Sequence, residues 1–206
     1  MRHTRKSGAL GLWMNGQPVG SWVVTAQGEH QLHYDETWLA SPLGRPISQS
    51  MPLRPAGAPY RGERVRNYFE NLLPDNDNIR QRLARRFSTG TEAFRLLAEI
   101  GRDCVGALQL LPAGESPPET ESVQFEPFSD EQVAEHLAGT LTAPAFTQTD
   151  DSFRIAIAGA QEKTALLWHQ GSWCRPLGAT PTTHIFKFPM GQMPGGIDLS
   201  TSLENE

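Results

Sequence analysis

The residues with the most chemical potential lie in two stretches near the end of the chain. The string Arg154-Ile-Ala-Ile-Ala-Gly-Ala-Gln-Glu-Lys-Thr-Ala-Leu-Leu167 sets a small-residue turn, Ala158-Gly159-Ala160, between two apolar runs. Without bulky side chains, the backbone N–H groups of such a turn come close enough to bind a phosphate. The second stretch is Pro181-Thr-Thr-His-Ile-Phe-Lys-Phe-Pro189, a strand pattern with a single cation, Lys187. Its period of two puts Ile185 and Lys187 on one face and His184, Phe186 and Phe188 on the other. A lysine among apolar neighbours needs an anion beside it, and a nucleotide phosphate or a helix carboxylate would serve. Asp198, Glu204 and Glu206 are the carboxylates available near the end of the sequence. Blander readings exist for both stretches: a tight hairpin turn with Lys163 in solvent, and an edge-strand lysine that discourages aggregation.

Lys163-Thr164 ends its string as a Walker A loop ends, but the spaced glycines of G-x-x-x-x-G-K-[ST] are missing and a strand pattern follows instead of a helix. A hairpin that covers phosphates from above, as in protein kinases, suits the pattern better. Elsewhere the chemistry is thinner. Six histidines at positions 3, 30, 33, 136, 169 and 184 show no metal-ligand spacing beyond the i, i+3 pair His30 and His33, which a strand would point to opposite faces, and Cys104 and Cys174 are too far apart for a C-x-x-C motif. They read as reduced core thiols. The polar segments 69–75 and 97–106 read as capping residues, with Arg102 tying helix to strand through a carboxylate. Arg80, Arg82, Arg85 and Arg86 read as a solvated helix face. No catalytic triad or acid–base dyad can be assembled from spacing.

The elements that must position these residues are legible in outline. Alternation over residues 12–24 around Asn15-Gly16 predicts a β-hairpin, and a third strand is expected at 29–34. Residues 48–53 have strand character. Val65, Phe69, Leu72 and Leu73 mark a helix that stops at Pro74; Asp75 or Asp77 would cap a second helix with Ile79 and Leu83 inward. A third helix is expected at 91–100 with Gly101 in its C′ position, then a strand at 104–111. Residues 112–120, rich in Pro, Gly and acidic residues, form the best linker. Ser129 would cap a helix reaching about Leu141, with Val133, Leu137 and Leu141 inward, before a β-rich region at 153–188. Segment 197–206 reads as a helix being capped.

With 206 residues and 38% hydrophobic content, the chain can bury one large or two small cores. A net charge of −5 argues against a protein that mainly coats nucleic acid. No apolar run approaches a membrane span, so a cytoplasmic address is expected.

These motifs carry a resemblance. Trp13-Met-Asn, Trp38-Leu-Ala-Ser41, Arg45-Pro46, Asn71-Leu-Leu-Pro-Asp75, Glu99-Ile-Gly-Arg-Asp103, Ala158-Gly-Ala-Gln-Glu-Lys-Thr-Ala-Leu-Leu167 and Pro181-Thr-Thr-His-Ile185 follow in order over nearly the whole chain. Together they resemble the N-terminal part of HipA, the serine/threonine kinase toxin of bacterial HipA/HipB toxin–antitoxin modules. The resemblance implies an α+β fold: a HipA-type subdomain over 1–112, a linker at 113–123, and a kinase-like N-lobe of antiparallel strands over 124–206. By the same resemblance Ala158, Gly159, Ala160, Gln161, Glu162 and Lys163 match the ATP-binding loop, and Lys187 matches the ATP-binding lysine. ATP with Mg2+ is the implied cofactor pair. The implied partners are a HipB-like helix-turn-helix antitoxin, DNA only through that antitoxin, and a tRNA synthetase as substrate, with growth arrest or persistence as the outcome.

Two departures from the family stand out. Ala156 occupies the position where family members commonly carry an autophosphorylated serine. The family's catalytic and metal-binding aspartates fall beyond residue 206, so a truncated kinase, inactive alone, is expected. The alternative is a non-catalytic module that binds an antitoxin or a separate kinase half.

Overall fold

The computed structural model describes residues 8–104, 107–117, 123–142, 155–156, 158–159, 161–177, 180–192 and 196–201. The chain opens with β1 (Gly8–Met14) and β2 (Gln17–Val24), joined by Asn15 and Gly16 at φ 49° and 74°. Positive φ at both positions matches the twist of the flanking strands, which is why Asn-Gly specifies this hairpin. Then come β3 (His30–Tyr34), α1 (Glu36–Ala40) and β4 (Tyr60–Arg61). Three helices follow, α2 (Glu63–Glu70), α3 (Asp77–Arg86) and α4 (Ala93–Ile100), and after them β5 (Asp103–Cys104) and β6 (Leu108–Pro112).

The first sheet is antiparallel in the order β4-β3-β2-β1-β6. Its core face presents Leu10, Leu12, Val19, Trp22, Leu32 and Leu110, all buried, to Val65 and Phe69 of α2 and to Leu96, Leu97 and Ile100 of α4. Trp22 anchors this layer. Its ring stacks on Phe69 with centroids 3.9 Å apart and meets Phe94 edge-on at 5.0 Å. Such pairs add about 0.5–1.5 kcal/mol beyond the area they bury.

Several local expectations shift. The cap of α3 is Asn76, whose side chain accepts the Asn78 N–H at 2.9 Å, in place of Asp75 or Asp77. Residues 48–53 form no strand beyond an isolated bridge between Ser48 and Met51, because Met51 is held as a buried plug: the Tyr34 hydroxyl donates to its carbonyl at 2.6 Å. Gly101 has φ −76°, outside the left-handed region. It is glycine for space, since a Cβ there would sit 2.4 Å from the Leu97 carbonyl oxygen and 2.8 Å from Leu110 Cβ. The strand expected at 104–111 is divided into β5 and β6.

After β6, β7 (Phe125–Pro127) leads into α5 (Asp130–Thr142), followed by β8 (Ile155–Ala156), β9 (Lys163–His169), β10 (Ser172–Pro176) and β11 (His184–Lys187). The second sheet runs β11-β9-β10-β7, antiparallel throughout, with Ala165, Leu166, Leu167 and Cys174 buried. Ser129 and Gln132 cap α5 reciprocally, the Gln132 N–H donating to Ser129 Oγ and the Ser129 N–H to Gln132 Oε1. At the end, β12 (Gly191–Gln192) pairs with β13 (Asp198–Leu199). Asp198 therefore lies in a strand where a helix start is expected, its carboxylate accepting the Ser200 N–H at 2.9 Å. Glu204 and Glu206 fall outside the described residues.

Candidate functional site

β9 and β11 pair in a register that sets Lys187 directly opposite Lys163. Residues directly opposite in an antiparallel pair point to the same face, and like charges there repel. The two ammonium groups are accommodated differently. Lys163 folds back so that Nζ donates to the Ala158 carbonyl at 2.5 Å, closing the turn, while Lys187 is exposed. Lys187 therefore has a second cation across the strand pair, with Ile185 and Ala165 as the next pair on the same face.

The turn itself depends on Gly159, whose φ of 107° disfavours any residue with a Cβ. A Cβ there would also stand 2.7 Å from Lys163 Nζ. Gln161 and Glu162 tie the turn to the lysine strand: the Gln161 side-chain amide donates to the Phe188 carbonyl at 2.8 Å, and the Phe188 N–H donates to the Glu162 carbonyl at 3.0 Å. Ala158 is half-buried, and Ala160 lies outside the described residues. Gly159, Gln161, Glu162, Lys163 and Lys187 are therefore brought together around one small-residue turn. The two lysine side chains leave the same face of the β9–β11 pair beside a glycine turn, a positive cluster of the kind that attracts anions. No three His, Cys, Asp or Glu side chains among the described residues gather as metal ligands.

The hairpin expected across Gly159 takes another form. Ile155–Ala156 pairs in parallel with Asp103–Cys104, while β9 pairs with β10 and β11. Gly159 bridges Pro74, and the Asp75 N–H donates to the Gly159 carbonyl at 3.1 Å. Pro74, Asp75 and Asp103–Cys104, within segments that read as caps, thus join the N-terminal half to this stretch.

Arg82 completes the grip by pairing with the Glu162 carboxylate. Arg80 reaches the Pro74 carbonyl at 2.6 Å and Glu70 at 2.6 Å, bracing the platform on which Gly159 rests. The basic run on α3 is thus not wholly a solvated face. Its partners lie up to 80 residues away, a separation that helix periodicity does not reveal. Arg102, by contrast, meets a carboxylate as expected, that of Glu115 at 2.7 Å, but Glu115 follows β6, so the pair ties the end of α4 to the segment after that strand and not helix to strand.

On the opposite face of β9, Thr164 is buried and its hydroxyl lies 3.0 Å from His136 Nε2 on α5. Burial, and then the positive charges of Arg175 and Arg86, push the His136 imidazole below the usual histidine range. Burial and these charges favour the neutral ring.

Residues 10–111 match the family model of the HipA N-terminal domain. The chain belongs to the HipA family. It is 32% identical over 192 residues to a putative kinase, Y4mE, of Sinorhizobium fredii, covering 90% of this chain and 44% of the relative. To the serine/threonine-protein kinase toxin HipA of Shewanella oneidensis it is 29% identical over 186 residues, covering 90% and 41%. A solved complex of Shewanella oneidensis HipA with HipB and its operator DNA matches with a TM-score of 0.64 and 26% identity, over 87% of this chain and 40% of that one. The chain thus spans about two fifths of the length of these HipA relatives. Mixed helices and antiparallel sheets agree with a HipA N-terminal subdomain joined to part of a kinase-like lobe. Among the described residues no helix is long and apolar enough to cross a membrane.

Proposed function

We propose that these 206 residues form the nucleotide-binding portion of a HipA-like serine/threonine kinase toxin. The N-terminal subdomain occupies 1–112, and the start of the kinase domain occupies 124–206. The observation that carries this reading is the register that sets Lys187 opposite Lys163 beside the Gly159 turn. Two cations on one face beside a glycine turn favour a polyphosphate, and the kinase names of the relatives make ATP the candidate. ATP would supply the transferable phosphoryl group. Gly159, Lys163 and Lys187 would hold its phosphates, with Gln161 and Glu162 keeping the loop against the lysine strand. Magnesium would arrive with the nucleotide. Binding is the function proposed for these residues, and phosphoryl transfer is assigned to a kinase of the relatives' full length.

The test is calorimetric titration of the chain with ATP and magnesium, alongside Lys187→Ala. The variant should bind about tenfold more weakly, the loss of one charge-assisted contact. Equal affinities would remove Lys187 from the site. Labelled ATP gives a further check, since robust transfer by the 206 residues alone would contradict the assignment of chemistry to the longer kinase.

A HipB-like antitoxin is the proposed protein partner, supported by the HipA–HipB–DNA complex among the matching structures. The tRNA synthetase substrate follows from the resemblance alone. A second reading, a non-catalytic module that binds an antitoxin or a separate kinase half, draws on one observation: Trp168 and Ile185 leave 44% and 54% of their surface exposed on the second sheet. Co-expression with a neighbouring antitoxin and with a separate kinase half distinguishes these partners.

A further inference from the structure

Arg82 lies outside every motif that points to nucleotide, yet it touches the loop at the point where the two lysine strands are joined. Glu162 precedes Lys163 in sequence, and its carbonyl accepts the N–H of Phe188, which follows Lys187. Whatever fixes Glu162 therefore fixes both lysines at once. The Glu162 carboxylate is only 18% exposed and Arg82 38% exposed, so their ion pair is partly sheltered from water. Two backbone attachments join it, β5 to β8 and Asp75 to Gly159, and Arg80 braces the second through the Pro74 carbonyl.

We propose that Arg82 is a positioning residue for nucleotide binding: acting through Glu162, it holds the 158–163 loop against the N-terminal domain so that Lys163 and Lys187 stay side by side. The inference rests on the nucleotide reading of this loop and adds that ATP affinity is set partly from the N-terminal domain. Arg82 itself touches no phosphate. Its effect arises because a loop already held in the binding shape loses less freedom when a ligand arrives. A planar guanidinium suits this task, since it grips a carboxylate in a fixed orientation.

The experiment measures ATP affinity by calorimetry for the wild-type chain, Arg82→Ala, Glu162→Ala, Arg85→Ala and the double exchange Arg82→Glu with Glu162→Arg. Arg85 is exposed on the same helix and serves as a control. Arg82→Ala and Glu162→Ala are each expected to weaken ATP binding about tenfold, within the usual range of coupling between sites. Arg85→Ala should leave it unchanged. The double exchange restores the pair with its charges reversed and should recover affinity to within about threefold of wild type. That rescue separates positioning from general loss of fold, and it remains informative if either single variant folds poorly. Equal affinities for wild type, Arg82→Ala and Glu162→Ala would overturn the inference and leave the nucleotide reading standing; so would a folded double exchange as weak as the singles. A wild-type chain that binds no ATP overturns the nucleotide reading and this inference with it.

Discussion

Gly159 concentrates two demands in one residue, a backbone φ of 107° and an absent side chain beside Lys163 Nζ. Gly159→Ala meets both obstacles. The positive φ costs an L-residue about 1–2 kcal/mol. The new methyl group would also push the Lys163 ammonium off the Ala158 carbonyl. The variant should lower the unfolding midpoint modestly and weaken ATP binding more than Lys187→Ala does, because it disturbs both the turn and one cation. Calorimetry with a parallel denaturant titration separates the two effects. Glycine and lysine were legible in the sequence because their types carry the chemistry. Arg82 was not, because an arginine on an amphipathic helix looks the same whether its partner is water or a distant glutamate. His136 lay equally hidden. Its folded-state pKa is lowered, so between that value and the ordinary 6.5 the unfolded chain binds the proton more readily. Stability is then highest above about pH 6.5 and falls as pH drops towards the folded value. His33, shifted the same way by burial and then by Arg61, contributes a slope of the same sign. Urea titrations between about pH 7.5 and 5.5 should show this loss, and His136→Gln should flatten it.

At the scale of elements, Asn15-Gly16, the Val65 and Phe69 stripe and the Ser129 cap were readable because each is a local rule. Segment 48–53 misled: its apolar residues serve a plug, and Met51 is buried because Tyr34, 17 residues earlier, holds its carbonyl. Gly101 shows the same limit. Its position after a helix suggests a left-handed cap, whereas the structure uses its lack of a Cβ to bring the end of α4 against β6. The distinction is measurable. In a left-handed cap, Asn would be a tolerable replacement; here Gly101→Ala and Gly101→Asn should both destabilise, by about 1–3 kcal/mol, because the obstructing atoms are a backbone carbonyl and a buried side chain that cannot swing away. A smaller loss for Asn than for Ala would favour the capping role.

At the scale of the whole molecule, the consequence follows from where the loop's partners lie. The first sheet draws its strands from residues up to 112 and the second from 125 onward, but the Gly159 loop is bonded to both halves: to Asp75 and the Asp103–Cys104 strand on one side, to Phe188 on the other. A ligand that binds only the assembled loop must stabilise every contact the assembly needs, including those in the half it does not touch. The Asp75 amide reports this directly, since it donates to the Gly159 carbonyl and exchanges with solvent only when that bond opens. With ATP at about 100 times its dissociation constant, openings that release the ligand become rarer by about 2.7 kcal/mol, close to a hundredfold. Hydrogen exchange should therefore slow at Asp75 as well as at Phe188, while amides at the centre of the first sheet, such as Leu12, should change little. Protection confined to the Phe188 side would mean that the N-terminal half carries the loop without sharing its equilibrium.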